Sequence, residues 1–274
     1  MNTSNQTVLI TGASSGIGLE TALYFFEQGW NIIATMRNPE KRQTELHRKN
    51  LPDLVHLDVM DSASIESAIQ YSINKYGKID VLVNNAGYAA YGLFEASTPQ
   101  QLKRQFEVNV FGLMEMTRQI LPLFRRQKSG VLINVASMGG RIGFPFYSLY
   151  NSTKWAVEGF SEALQYELRP LNIRVKIIEP GVIFTDFYDR SLDIADPTAW
   201  AEAYGETARL AAKPAEQRNG SPPRTVARRI FQAATDNTWR LRYRAGSDAT
   251  LVAFLRWLLP EGLFYKLLGQ IFIK

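Results

Sequence analysis

The sequence predicts an α/β chain, a parallel sheet of about seven strands with helices on both faces, in a single domain spanning 1–274. Three observations predict it. Short apolar runs of strand length alternate with longer amphipathic runs of helix length from residue 7 onward. A glycine-rich stretch, "TGASSGIG", stands between the first apolar run and the first amphipathic one. The chain has 274 residues, 46% of them apolar and 21% charged, which suits one domain with a full core. No repeat, linker or low-complexity block divides it.

In order, "TVLIT" reads as the first strand and "GLETALYFFEQG" as a helix closed by Gly29. "WNIIATM" is a second strand, "NPEKRQTELHRKN" a polar helix, and "LVHLDV" a third strand. "SASIESAIQYSINKYG" is a helix ending at Gly77, followed by the strand "DVLVNNAG". One long helix is predicted from Pro99 to Gln127, then the strand "GVLINVAS". A helix carrying "YNSTK" runs to Leu168, and "IRVKIIEPG" is the sixth strand. The pattern weakens after Gly181. Residues 182–223 mix aromatics, acids, alanines and prolines, and a helix near 224–235 and a strand near 239–244 follow. The apolar tail, 249–274, is interrupted by Arg256, Pro260 and Glu261, too soon for a spanning helix. It is expected to pack against the protein.

Composition narrows the chemistry. There is no cysteine, so disulfides are excluded and a reducing compartment is permitted. Only His47 and His56 could offer imidazole, in different elements, so no metal site is expected. "NST" at Asn151 matches a glycosylation acceptor, but the N-terminal stretch lacks the basic-then-apolar pattern of a secretory signal, and a cytoplasmic location is expected. The net charge of +5 comes largely from "PPRTVARRI" and "WRLRYR". A solvated surface explains these better than a nucleic-acid face, and no nucleic-acid partner is expected.

Gly12, Gly16 and Gly18 allow a tight turn whose backbone approaches a ligand, and the amides of the following helix suit a pyrophosphate. At the end of the second strand stands Met36-Arg37, where a carboxylate would select a ribose 2′-hydroxyl. A cation there suits a 2′-phosphate. In "YNSTK", Tyr150 and Lys154 are four apart, on one helix face. An incidental surface pair is the plain reading. The chemical one is that an ammonium draws a phenol from about 10 toward working pH.

"TGASSGIG", "LDV", "NNAG", "NVFG", a serine after the fifth strand, "YNSTK" and "EPG" occur in the order of the short-chain dehydrogenase/reductase family, which residues 7–185 resemble. "YNSTKWAVEGFSEALQYEL" looks most like members related to 17β-hydroxysteroid and retinol dehydrogenases. The resemblance implies a Rossmann-type doubly wound fold and an NAD(P)-dependent oxidoreductase acting on CH–OH or C=O. It implies Tyr150 as general acid/base, Lys154 tuning the tyrosine and binding the nicotinamide ribose, Ser137 holding the reacting oxygen, and Asn109 supporting a proton path to Lys154. It places Gly12, Ser14, Ser15, Gly16, Ile17 and Gly18 at the phosphates. Asp58 and Val59 fall at the adenine, and Asn85, Ala86 and Gly87 beside the ribose. Pro180, Gly181, Val182 and Thr185 fall beside the nicotinamide. Many NADP-binding members carry a basic residue where Ser15 stands, so preference for NADP(H) over NAD(H) rests on Arg37.

The segment 182–223 is expected to cover the substrate. Its Phe184, Phe187, Tyr188, Trp200 and Tyr204, with Phe144, Phe146 and Tyr147 before the catalytic tyrosine, predict a bulky apolar carbonyl compound or alcohol. Assembly as a dimer or tetramer is a further implication of the family, and peripheral contact with a membrane surface is left open. The alternative to an enzyme is a nucleotide-binding regulator that keeps the fold and has lost catalysis. Such proteins usually lose the tyrosine or lysine, and both are present here.

Overall fold

The computed structural model describes residues 6–41, 44–49, 51, 53–185, 191–212 and 220–272. Its strands are β1 (Thr7–Ile10), β2 (Asn31–Met36), β3 (Leu54–His56), β4 (Val81–Asn84), β5 (Ala89–Tyr91), β6 (Gly130–Val135), β7 (Ile173–Pro180), β8 (Leu192–Ile194) and β9 (Arg242–Ala245). Seven form one parallel sheet in the order β3-β2-β1-β4-β6-β7-β9. The strand order therefore reverses between β1 and β4, the position where sheets of this kind open a ligand crevice at their carboxyl ends. β1, β4 and β6 are buried along their whole length, which accounts for their largely apolar runs.

Helices cover both faces. On one side lie α1 (Gly16–Glu27) and, from late in the chain, α9 (Pro223–Thr235), which pack against each other. Phe25, Val226 and Ile230 meet Val8, Ile10 and Val83 there. On the other side lie α3 (Ser62–Tyr76), α5 (Gly112–Gln127) and α6 (Ser148–Leu168), whose Ile65, Met116, Ile120 and Leu164 meet Leu9, Leu82 and Leu132. Polar ties cross this second layer. Asn84 Nδ2 donates to Asn134 Oδ1 (2.9 Å), and Asn134 Nδ2 donates to Ser161 Oγ (2.8 Å), linking β4, β6 and α6.

Two expectations change, and two features go beyond the sequence reading. The polar helix of residues 38–50 contracts to α2 (Glu45–Arg48) among the described residues, because Thr44 and His47 form a reciprocal cap that fixes its start. The long helix is α4 (Pro99–Phe106), one π-helical turn (Glu107–Phe111) and α5. Strands β5 and β8 pair in a separate two-stranded parallel sheet that the sequence pattern does not announce. The tail forms α10 (Ser247–Leu258) and α11 (Glu261–Phe272), beyond two short helices, α7 (Ala201–Tyr204) and α8 (Glu206–Ala212). α10 packs on β9 and on the turn after β6, while α11 packs on α10. Because apolar residues occur on every side of these helices, one buried face leaves Leu251, Phe254, Trp257, Leu263 and Ile271 exposed.

Candidate active site

A cavity of ≈ 550 Å³ opens at the carboxyl ends of the central strands. The turn after β1 forms one end of it. Gly12, Ser14, Ser15, Gly16 and Ile17 line the wall, and Gly12 and Gly16 have φ of +68° and +56°. Gly18 lies behind them. A Cβ there would stand 2.3 Å from the carbonyl oxygen of Gly12 and 2.5 Å from Asn85 Nδ2, so only glycine lets the helix start so close to the turn. Asn85 Nδ2 donates to the carbonyl of Thr11 at 2.9 Å, and Ala86 N donates to Thr11 Oγ1 at 3.0 Å. These bonds bring the ends of β1 and β4 together and set Asn85, Ala86 and Gly87 into the wall. Arg37 lines the cavity where β2 ends, and its own carbonyl accepts from His56 Nδ1 (2.6 Å). Asp58 and Val59 line it beyond β3.

Ser137, Tyr150 and Lys154 meet on the opposite wall. Ser137 caps the short turn after β6, accepting from Gly139 N at 3.0 Å, and its hydroxyl hydrogen-bonds Tyr150. One turn of α6 further, Lys154 Nζ lies 5.6 Å from the Tyr150 ring centre. The lysine is expected to draw the phenol down. Burial is the larger effect here and pushes Tyr150 up to about 12, with the Ser137 bond opposing it. Burial likewise brings Lys154 down to about 8, against the attraction of Glu158. Asn109 does not reach the cavity wall. It sits buried in the π-helical turn, where its Oδ1 accepts from Tyr88 N (3.0 Å) and its Nδ2 donates to Tyr88 O (2.8 Å) and Thr153 Oγ1 (3.2 Å). Such turns recur at functional sites, and this one ties the segment after β4 to α6.

Pro180 at the end of β7, with Gly181, Val182 and Thr185 after it, completes the wall, and Ser191, Leu192 and Asp193 continue it. Of the aromatics expected to surround a substrate, Phe144 and Tyr147 line the cavity. Phe146 and Trp200 pack instead on a small cluster of Leu93, Ala96 and Ala208, Tyr204 donates to Glu95, and Phe184 is exposed. Phe187 and Tyr188 fall outside the described residues. No described residue of the tail lines the cavity. Tyr88, Arg104 and Asp193 do, and sequence reasoning missed them. Tyr88 directly follows "NNAG", the one signal that could have marked it. The Arg104 guanidinium lies 5.0 Å over its ring. Several arginines of the two basic stretches are taken up by acids: Arg224 by Glu20 and Glu27, Arg244 by Glu179.

The model of the family described as short chain dehydrogenase matches residues 6–193. The chain belongs to the short-chain dehydrogenase/reductase family. It is 35% identical over 243 residues to the 3-ketodihydrosphingosine reductase of Bacteroides thetaiotaomicron, covering 88% of each chain. A short-chain dehydrogenase structure from Streptomyces avermitilis superposes with a TM-score of 0.81 at 33% identity, covering 97% of this chain and 98% of that one. The structure of ElxO with NADP bound gives 0.73 at 26% identity, covering 88% of this chain and 97% of that one. As a member of this family the chain is an oxidoreductase acting between CH–OH and C=O with a nicotinamide cofactor. The cavity fits such a group. Its glycine cradle, the amides at the start of α1 and Arg37 suit phosphates, and Lys154 and Ser137 offer hydrogen-bond donors on the opposite wall. Among the described residues, no helix is long and apolar enough to cross a membrane.

Proposed function

We propose that this enzyme is NADP(H)-dependent and interconverts a ketone or aldehyde with its alcohol on a bulky, largely apolar substrate, with Tyr150 as general acid/base. The observation that carries the reading is the meeting of Ser137, Tyr150 and Lys154 on one wall of the cavity. A bound nicotinamide would supply or accept the hydride, which no side chain can do. Reduction builds negative charge on the carbonyl oxygen. Tyr150, held in its protonated form, gives that oxygen a proton, and the Ser137 hydroxyl hydrogen-bonds it. As the proton leaves, the positive charge of Lys154 favours the phenolate, so the lysine acts when the tyrosine ionises. The remaining donors of Lys154 hold the cofactor ribose. Asn109 acts behind the wall by fixing the Tyr88 backbone and Thr153.

Arg37 at the end of β2 supports NADP(H), with NAD(H) as the competitor. Phe144, Tyr147, Met138, Val182 and Leu192 support a largely apolar substrate body, and Tyr88 and Asp193 give the same wall a polar part. The Bacteroides relative, named for 3-ketodihydrosphingosine, supports a ketone as the reacting group. Ketones, aldehydes and alcohols assayed with NADPH and NADH, following absorbance of the reduced cofactor, test the reading. Turnover of an apolar ketone with NADPH is expected, and no turnover of any carbonyl or alcohol would overturn it.

A further inference from the structure

Beside the candidate site lies a cluster that the proposed chemistry does not use. Glu158 on α6 and Glu179 on β7 are 4% and 2% exposed, and neither lines the cavity. Arg242 of β9 stands between them. Its Nε donates to Glu158 Oε2 at 2.9 Å and lies 3.5 Å from Glu179 Oε1, and its other arm reaches Glu162. Arg141 lies 4.0 Å from Glu158 Oε2, and Arg244 lies 3.5 Å from Glu179 Oε2. One oxygen of each glutamate, Oε1, is buried with no hydrogen-bond partner among the described residues.

The place of the cluster suggests its role. Glu158 follows Lys154 by one turn on the same helix. The turn that carries Ser137 rests on both, since a Cβ at Gly140 would stand 2.9 Å from the Lys154 carbonyl oxygen and 3.0 Å from Glu158 Cγ. Glu179 immediately precedes Pro180 and Gly181 in the cavity wall. Two of the segments that build the reacting end, α6 and β7, thus converge on one guanidinium, and the third, the Ser137 turn, packs on α6.

We propose that Glu158 is a positioning residue for Lys154: braced by Arg242 and Arg141, it supplies the negative charge one turn away that keeps the buried ammonium charged. This rests on the reading of Lys154 as a cofactor residue. The groups facing Glu158 are Lys154 and Glu162 on α6, Arg141 after the Ser137 turn, Glu179 on β7 and Arg242 on β9, with Arg244 beyond Glu179. Burial and the charge of Glu179 push Glu158 up to about 7, with Arg242 and Arg141 opposing, close to the value of about 8 that burial gives Lys154. Ionised Glu158 therefore favours charged Lys154. Removing the charge of Glu158 makes the lysine lose its proton at lower pH. Removing the charge of Glu179 acts the other way, because Glu158 then ionises more easily.

The test is the dissociation constant of NADPH, read by fluorescence across roughly pH 6–10, for wild type, Glu158→Gln, Glu179→Gln and Lys154→Met. Wild type is expected to lose affinity on the alkaline side. Glu158→Gln should move that limb down by about one pH unit, and Glu179→Gln should leave it or move it up. An unmoved limb in Glu158→Gln overturns the inference, and so does an equal downward movement in both glutamine variants, which would mean general loosening. Should Glu158→Gln not fold, Glu179→Gln decides alone: a downward movement overturns the inference, and an unmoved or raised limb sustains it. A limb that survives Lys154→Met overturns the reading of Lys154 itself, and this inference with it. A limb that Lys154→Met abolishes and Glu158→Gln leaves in place overturns this inference alone.

Discussion

Lys154 Nζ donates to the carbonyl oxygen of Val135 at 2.8 Å, so the last residue of β6 anchors the ammonium beside Tyr150. An ammonium has three donors, and this bond uses one while fixing the direction of the others. It also holds a charge in a site where the side chain is buried.

That burial has a consequence for stability. Lys154 is brought from 10.5 down to about 8 in the fold, so between those values the unfolded chain binds the extra proton. Stability from this group rises with pH through that window and is lowest below about 8, where the buried charge is fully present. Lys154→Met should remove this rise. Urea unfolding of both proteins at a series of pH values checks it. A wild-type-minus-variant difference that does not change with pH would rule it out.

Tyr150→Phe should leave the fold and NADPH affinity nearly intact and lower turnover by roughly 10²–10⁴-fold, the usual worth of a positioned acid/base. The phenol is half-buried and bonded to Ser137, so its loss also leaves the serine hydroxyl short of one partner. Steady-state rates with a ketone, beside a cofactor titration, separate the two effects. Unchanged turnover would remove Tyr150 from the chemistry.

Gly18→Ala should damage the site from behind. The added carbon would meet the Gly12 carbonyl and Asn85 at distances no real contact shows, and both belong to backbone-bonded structure that cannot yield cheaply. A loss of about 1–3 kcal/mol of stability is expected, together with weaker NADPH binding. Chemical denaturation and a fluorescence titration measure these. A variant equal to wild type in both would show that the turn relaxes freely.

Much of this was legible in the chain because parallel strands buried on both faces are rich in β-branched apolar residues and are bounded by turn signals. "TVLIT", "GVLINVAS" and "IRVKIIEPG" announced β1, β6 and β7 to within a residue or two. Strands β5 and β8 were not legible. Each has three residues, and their pairing joins Ala89 to Leu192, a contact that no local period encodes. The π-helical turn was hidden for another reason: its side-chain pattern continues that of α4 and α5, and only its backbone hydrogen bonding distinguishes it. The ordered motifs marked Ser137, Tyr150 and Lys154. Glu158 was part of the quoted helix, yet only burial and the approach of Arg242 from β9 set it apart.

Cofactor preference should follow the end of β2. Met36 is buried and lines the cavity, and the exposed Arg37 lines it beside Met36. Met36→Asp combined with Arg37→Ser should lower kcat/KM with NADPH by roughly tenfold or more and raise it with NADH, since a charged hydrogen bond is worth about 1.5–3 kcal/mol. Equal efficiency with both cofactors in wild type would leave Arg37 without this role.

Substrate size should be read out by a homologous series. Phe144, Tyr147, Met138 and Leu192 give the cavity an apolar wall, while Tyr88, Arg104 and Asp193 limit how far that wall extends. Each methylene that reaches the apolar part should add about 0.8 kcal/mol to transition-state binding, close to fourfold in kcat/KM, until the polar part is reached. Methyl ketones of increasing chain length, assayed with NADPH, should therefore rise and then level off. Tyr147→Ala should lower the rise per methylene near the reacting end, because the Tyr147 ring lies 6.0 Å from that of Tyr150. A flat series, or best activity on a small polyol, would sink the apolar reading while leaving the proton chemistry of Tyr150 intact.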